Sequence, residues 1–328
     1  MIKEFQSYQT IKDWKEHHIS QHQTDTYSLN TFHDTIMKAV YKLALKRIDS
    51  GSPPCSFAWF ITGSGGRFEQ GLISDQDHGM VYETNDAFTN EYFKVLGEEI
   101  SYGLNIVGYP YCEGNVMSSN PKWCMPLEQW QTQLIKWMDE ESFKTIRNLQ
   151  IFFDSRLLIG DCSLVNTLKT VIFDYQKKHP ALIRRLMENV SHVKNAIGPL
   201  GQIIMEEKGI HAGAIDLKYS AFLPYVNAIR LLAIKEGIFK TSTLERLDEL
   251  MNINNYHEML SMLSTCKTNF LRLLELRLTS FTTDVSYDDI HYLKITMLTR
   301  EEKREIKQIL KDGKKLHLQV NAIIEKGC

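Results

Sequence analysis

Phe57-Ala58-Trp59-Phe60-Ile61 runs through Thr62 into Gly63-Ser64-Gly65-Gly66-Arg67, and Ser74-Asp75-Gln76-Asp77 follows a few residues later. Five apolar and aromatic residues in succession suit a buried strand. The glycines end it with a turn whose backbone N–H groups can approach an anion, so phosphate binding is the first expectation. The stretch is not a P-loop, because no Lys-Ser/Thr pair follows at the required spacing. It is not a dinucleotide fingerprint either, since the third glycine of that pattern would fall at Phe68.

The two aspartates narrow the chemistry. Residues i and i+2 of a strand point to the same side, so Asp75 and Asp77 place two carboxylates close together. Such a pair is costly unless a cation neutralises it. Mg²⁺ prefers a few carboxylates together with water and phosphate oxygens. Two such ions, roughly 4 Å apart, activate an attacking hydroxyl and stabilise a leaving pyrophosphate. Gly63 and Ser64 can then present amides and a hydroxyl to the β and γ phosphates, and Arg67 can add a bidentate contact. A lone Gly-Ser turn or a lone Asp-x-Asp is ordinarily structural. A strand, the turn and the carboxylates in that order, about ten residues apart, point to nucleotidyl transfer.

Working outward, residues 1 to about 48 look helical, with Ile36, Val40, Leu43 and Leu45 crowding one side. Gly51-Ser52-Pro53-Pro54 breaks that helix. Asp77 to Tyr82 reads as a second strand, Glu91 to Tyr102 as a helix and Leu104 to Val107 as a third strand. Gly108 to Trp123 is too rich in Gly, Pro, Ser and Asn for regular structure, and long loops of this kind are often functional. From about Glu128 the pattern is almost wholly helical. Leu244, Leu247, Leu250 and Met251 share a face, as do Phe270, Leu271, Leu274 and Leu278, and later Leu316, Val320, Ile323 and Ile324. Pro180 fits the first turn of a helix. The expected fold class is α+β. A helical segment (1–48) packs on a small mixed-sheet catalytic domain (49–164), and an all-helical domain (165–328) follows.

The 328 residues are 43% hydrophobic, enough for two domains. A formal charge of −2 gives no field to gather nucleic acid or anionic lipid. The basic stretch Lys303 to Lys315 carries apolar residues at helical spacing and reads as a solvated helix face, not a nucleic-acid patch. Met1 to Lys15 is polar with no export signal, and no apolar run reaches the ~18 residues of a membrane span. A cytoplasmic location is expected, with the six cysteines reduced. A zinc site on Cys112 and Cys124 is not favoured. His17, His18 and His22 lie in a polar stretch and read as exposed. His33-Asp34 lacks the further ligands of a metal phosphohydrolase.

With these residues in view, the chain resembles the polymerase-β nucleotidyltransferase superfamily, through Gly63-Ser64, Arg67 and Ser74-Asp75-Gln76-Asp77. The full string from Gly63 to Asp77 resembles a narrower bacterial branch related to the uridylyltransferase of the PII regulatory protein, many members of which carry CBS or cyclic-nucleotide-binding domains. Tyr111 to Met117, Asn120 to Trp123, Phe152 to Arg156 and Ile215 to Lys218 extend the similarity over residues 30 to 325. The resemblance implies a Mg²⁺ (or Mn²⁺)-dependent transfer of a nucleoside monophosphate from a triphosphate to a hydroxyl, in signal transduction. Asp75 and Asp77 would hold metal; Gly63, Ser64, Gly66 and Arg67 would hold the triphosphate. The acceptor implied is a regulatory protein, bound by the C-terminal domain, where Lys218 and Arg230 are candidate contacts. A third metal carboxylate is often present in the superfamily. Glu113 is the first candidate, and Asp154, expected on a helix and pairing with Arg156, the second. The chain leaves no room for a CBS or cyclic-nucleotide domain. The rival expectation is a catalytically silent nucleotide sensor.

Overall fold

In a computed structural model the described residues are 4–23, 25–191, 194–279 and 289–327. The chain divides into two compact units, residues 1–175 and 176–328.

In the first unit, helices α1 (Tyr8–His18) and α2 (Thr26–Ile48) precede strand β1 (Phe57–Ile61). The Asp25 carboxylate starts α2 by accepting from the amides of Tyr27 and Ser28. One short helical turn, α3 (Gly63–Gly66), leads through an irregular stretch to β2 (His78–Tyr82). Helix α4 (Ala87–Val107), strand β3 (Cys124–Pro126), α5 (Leu127–Glu140), α6 (Phe143–Phe153), β4 (Arg156–Gly160) and α7 (Cys162–Lys178) follow. The sheet has the order β3-β2-β1-β4, with β1 antiparallel to both β2 and β4, and β2 parallel to β3.

Both faces of this sheet are covered, which is why β1 and β2 read as apolar runs without alternation. Phe57 and Trp59 point to one side, where Tyr41 of α2 stacks on both and Phe93 of α4 meets Phe57. Phe60 points to the other and meets Trp130 of α5 and Phe152 of α6 edge to face. Such ring pairs are worth about 0.5–1.5 kcal/mol each beyond the area they bury.

Two sequence expectations are corrected here. Leu104 to Val107 is not a strand but the last turn of α4, which ends only at Gly108 in the left-handed conformation, φ 94°. Phe93, Leu96, Ile100, Leu104 and Val107 are all buried at helical spacing, so the same face continues through the segment. The region beyond Glu128, expected to be almost wholly helical, also holds a strand beside β1. Arg156–Gly160 lies between two helices as the partner of β1, with Ala58 opposite Gly160 and Ile61 opposite Arg156. A run as short as Leu157-Leu158-Ile159 carries no period of its own, and pairing decides its state.

The second unit holds α8 (Ala181–Asn189), β5 (Ala214–Asp216), a π-helical turn (Lys218–Phe222) leading directly into α9 (Leu223–Glu236), then α10 (Thr243–Met251), α11 (Leu260–Thr279), β6 (Tyr292–Lys294) and α12 (Arg300–Gly327). Helix α9 is its centre and packs on α10 and α12. Tyr225 donates its hydroxyl to the carbonyl of Ile309 at 2.7 Å, which fixes α9 against α12. Strands β5 and β6 form a two-stranded antiparallel ribbon.

Candidate active site

Asp75 and Asp77 lie in the lead-in to β2, which begins at His78. Burial alternates along it: Asp75 and Asp77 are half-buried, Gln76 and His78 fully buried. The extended backbone therefore turns both carboxylates to one side and anchors them through the other. Gln76 donates its side-chain amide to the carbonyls of Ser101 (3.1 Å) and Tyr109 (3.0 Å). Its amide oxygen is 2.9 Å from His78 Nε2. Trp59 Nε1–H donates to His78 Nδ1 at 3.2 Å, so Nε2 carries the ring proton and donates to Gln76. Burial pulls the His78 pKa down to about 3, and the ring is neutral.

The glycine turn meets the same carboxylates. Gly63 has φ +58°, and a Cβ built there would stand 2.2 Å from Asp77 Oδ2. Only glycine permits this approach. Thr62 N–H donates to the carbonyl of Asp77 at 2.9 Å. On the opposite side a Cβ at Gly66 would lie 2.0 Å from the carbonyl oxygen of Asp154. Thr62 Oγ1 also donates to the carbonyl of Ile151. The turn is thus pressed between the start of β2 and the end of α6. Ser64 is half-buried within it.

Arg67 follows the turn with its side chain 12% exposed. Its Nε donates to Glu69 Oε2 and its Nη1 to Asp154 Oδ2, each at 2.7 Å. Burial works against the guanidinium charge, but the two carboxylates more than offset it and its pKa is raised. Asp154 caps the end of α6, and its arginine partner is Arg67 rather than Arg156. Arg156 instead forms a fork with both oxygens of Asp34 at 2.8 and 2.7 Å, donates to the carbonyl of Gly65, and lies 3.7 Å over the ring of Phe68. His33 has a structural place as well: Nε2 donates to the carbonyl of Gly71 at 3.0 Å, and Nδ1 accepts from Tyr109 Oη. Helix α2 therefore holds the whole loop between turn and carboxylates.

The long loop after α4 supplies a residue, Cys112, that the sequence reading sets aside as a ligand. Gln76 N–H donates to the carbonyl of Pro110, His78 N–H to Val116 and Met80 N–H to Trp123. This irregular third partner of β2 lays Cys112 beside the aspartates. One ligand atom from each of Asp75, Asp77 and Cys112 lies within 4.8 Å of the others. Burial first, then the charge of Asp77, to which the thiol donates a hydrogen bond, pushes Cys112 up to about 12. Glu113, the next residue, is exposed and not in this group. Cys124 is apart from it, donating to the carbonyl of Phe93. The sequence signals for Cys112 are its position in a loop rich in Gly, Pro and Asn and in the Tyr111–Met117 stretch of the resemblance.

Lys218 and Arg230 belong to the second unit. Lys218 is half-buried at the start of the π-helical turn. Arg230 is buried in α9 and donates to Asn227 Oδ1 at 2.9 Å. Among the described residues no helix is long and apolar enough to cross a membrane.

Residues 9–144 match the family described as "Putative nucleotidyltransferase DUF294". Residues 180–324 match the family described as "Putative nucleotidyltransferase substrate binding domain". No curated protein matches the chain.

Proposed function

We propose, for a chain that carries the DUF294 nucleotidyltransferase domain and its companion substrate-binding domain, that the first unit moves a nucleoside monophosphate from a nucleoside triphosphate to a hydroxyl acceptor and releases pyrophosphate. The observation that carries this reading is the carboxylate of Asp77 lying against Gly63, with Asp75 on the same side. That contact supports a cation site at the glycine turn rather than elsewhere on the sheet.

The residues fit Mg²⁺ or Mn²⁺. Asp75 and Asp77 offer hard carboxylate oxygens that share one small space and stay half-exposed, as ions that retain water and phosphate ligands require. Asp75 and Asp77 would hold the ion, with Cys112 beside them. Bound there, divalent metal supplies charge neutralisation and activation of the attacking hydroxyl.

The chain's own residues do the positioning. The first amides of the turn, at Gly63 and Ser64, and the Ser64 hydroxyl are the donors assigned to the triphosphate. Gly66 lets the turn sit against the end of α6, and Arg67 ties it there through Asp154 while adding positive charge. His78 and Gln76 anchor the buried side of this segment, so that the carboxylates face outward. The acceptor we assign is a protein hydroxyl, in the manner of uridylyl transfer, with the second unit as its binding domain. The intact carboxylate pair supports this reading over that of a nucleotide sensor, which needs only the turn and Arg67.

The test is pyrophosphate release on incubation with Mg²⁺ and each labelled triphosphate, with Asp75→Asn and Asp77→Asn beside the wild type. Each variant is expected to lose turnover. Each should also lose the rise in melting temperature that Mg²⁺ and a triphosphate give the wild type. Wild-type binding without pyrophosphate release identifies a sensor. Variants that keep the metal-dependent shift show the aspartates to be structural.

A further inference from the structure

The basic stretch that sequence reading left as a solvated helix face has a specific neighbour. In the second unit, residues 196–204 form a tight hairpin, closed by the Ile197–Ile203 bridge and by Ile204 N–H donating to the carbonyl of Ala196. Between this hairpin and α12 runs an open groove of about 750 Å³. Lys311 lines it along α12, with Lys314 and Lys315 about one helical turn further on. Lys314 Nζ donates to Asn195 Oδ1 at 2.8 Å and so spans the groove. None of the three lysines pairs with a carboxylate among the described residues. Ile197, Ile204 and Leu318 give the same groove an apolar floor, and Ile204 and Leu318 remain 45% and 57% exposed.

The lining combines one sign of charge with aliphatic surface. Three cations on one ridge are left uncompensated, while Lys194 nearby is matched to Glu206 and Arg272 on α11 to Glu305. An occupant that complements the groove carries carboxylates beside aliphatic side chains. A single phosphate group is a poor match, because the lysines are exposed and spread along the helix rather than convergent. Single-stranded nucleic acid is a poor match as well, because no aromatic side chain lines the groove for bases to stack on.

We propose that this groove docks an acidic, leucine-rich segment of a partner protein, with carboxylates on the lysine ridge of α12 and an aliphatic anchor against Ile197, Ile204 and Leu318. That the partner is the acceptor of nucleotidyl transfer rests on the function proposed above; the docking itself does not. A protein acceptor needs a holding surface separate from the reacting hydroxyl, and this groove provides one in the domain whose family is named for substrate binding.

The experiment uses the full chain and a short fluorescein-labelled peptide of alternating glutamate and leucine, read by fluorescence anisotropy at low salt. Three competitors accompany it: the peptide with lysine for glutamate, the peptide with serine for leucine, and a single-stranded oligonucleotide of equal charge. Lys311→Glu, Lys314→Glu and Lys315→Glu combined are expected to weaken the acidic peptide about tenfold or more, because each reversal replaces an attraction by a repulsion. The three lysines are exposed, so the variant folds, and its unchanged thermal melt verifies this. Leu318→Ser should weaken the peptide severalfold, and the serine peptide should bind less tightly than the leucine peptide. Equal affinity of wild type and triple variant overturns the proposal, as does preference for the lysine peptide. Tighter binding of the oligonucleotide overturns it in favour of a nucleic-acid surface. Triphosphate binding is followed in parallel. Peptide binding without it sustains the docking groove and removes the transferase reading; the reverse removes the groove alone.

Discussion

Arg67→Met takes away a cation shared by Glu69 and Asp154. Both carboxylates are buried, with side chains 3% and 1% exposed, and each lies 2.7 Å from a guanidinium nitrogen. Removing one partner of a buried ion pair costs about 3–5 kcal/mol, because desolvated charge is left behind. Glu69 and Asp154 retain further contacts, so the lower end, about 3 kcal/mol, is expected. For a unit of this size that corresponds to a fall of roughly 6–12 °C in melting temperature. The assay is a thermal melt by circular dichroism in buffer free of metal and nucleotide, so that a phosphate-binding role cannot contribute. Arg67→Lys keeps the charge but loses the fork and should fall between. Asp154→Asn added to Arg67→Met should recover part of the loss, since it removes one of the two buried charges that Arg67 had offset. A melting temperature within about 2 °C of wild type, together with lost triphosphate affinity, refutes the reasoning: Arg67 would then act on phosphate and not as the tether between turn and α6.

Three other outcomes follow from the same geometry. Gly63→Ala must relieve a 2.2 Å contact with Asp77 Oδ2 at a positive φ, so turnover should fall by about 100-fold while the fold survives at a cost of about 1–2 kcal/mol; undiminished pyrophosphate release would show that Asp77 need not lie there. His33 and His78 are both held to about 3 by burial, with the charge of Lys15 a smaller cause at His33. The unfolded chain takes up these protons first, so their contribution is complete above about pH 6.5 and is lost as pH falls toward 3. Urea unfolding should show roughly 2–4 kcal/mol less stability at pH 5 than at pH 7, with a shallower fall in His78→Gln, and a flat profile would contradict the buried network. Cys112, pushed up to about 12, should resist iodoacetamide at pH 8 in metal-free protein. Asp77→Asn removes the second cause of that rise but not burial, so labelling should quicken by no more than about tenfold; mass spectrometry of the Cys112 peptide reads it, and prompt labelling of wild type would place the thiol away from Asp77.

The sequence by itself determined those parts of the protein that are written locally. The strand from Phe57, the glycine turn and the Asp75–Asp77 pair were legible because each rests on residues a few positions apart. The helical unit was legible because α10, α11 and α12 carry apolar faces at helical period. Strands β3 and β4 were not legible, because three to five residues show no period and their state depends on partners in β1 and β2. The surroundings of the carboxylates were hidden for the same reason at longer range. Asp34 and Arg156 are 122 positions apart, and Arg67 and Asp154 are 87. Cys112 lies beside the aspartates where the amides of Gln76, His78 and Met80 donate to the loop's carbonyls of Pro110, Val116 and Trp123. Local sequence states which groups a segment carries; which distant group satisfies a buried donor or charge is settled by the packing of the whole unit, and that decided how the candidate site is held.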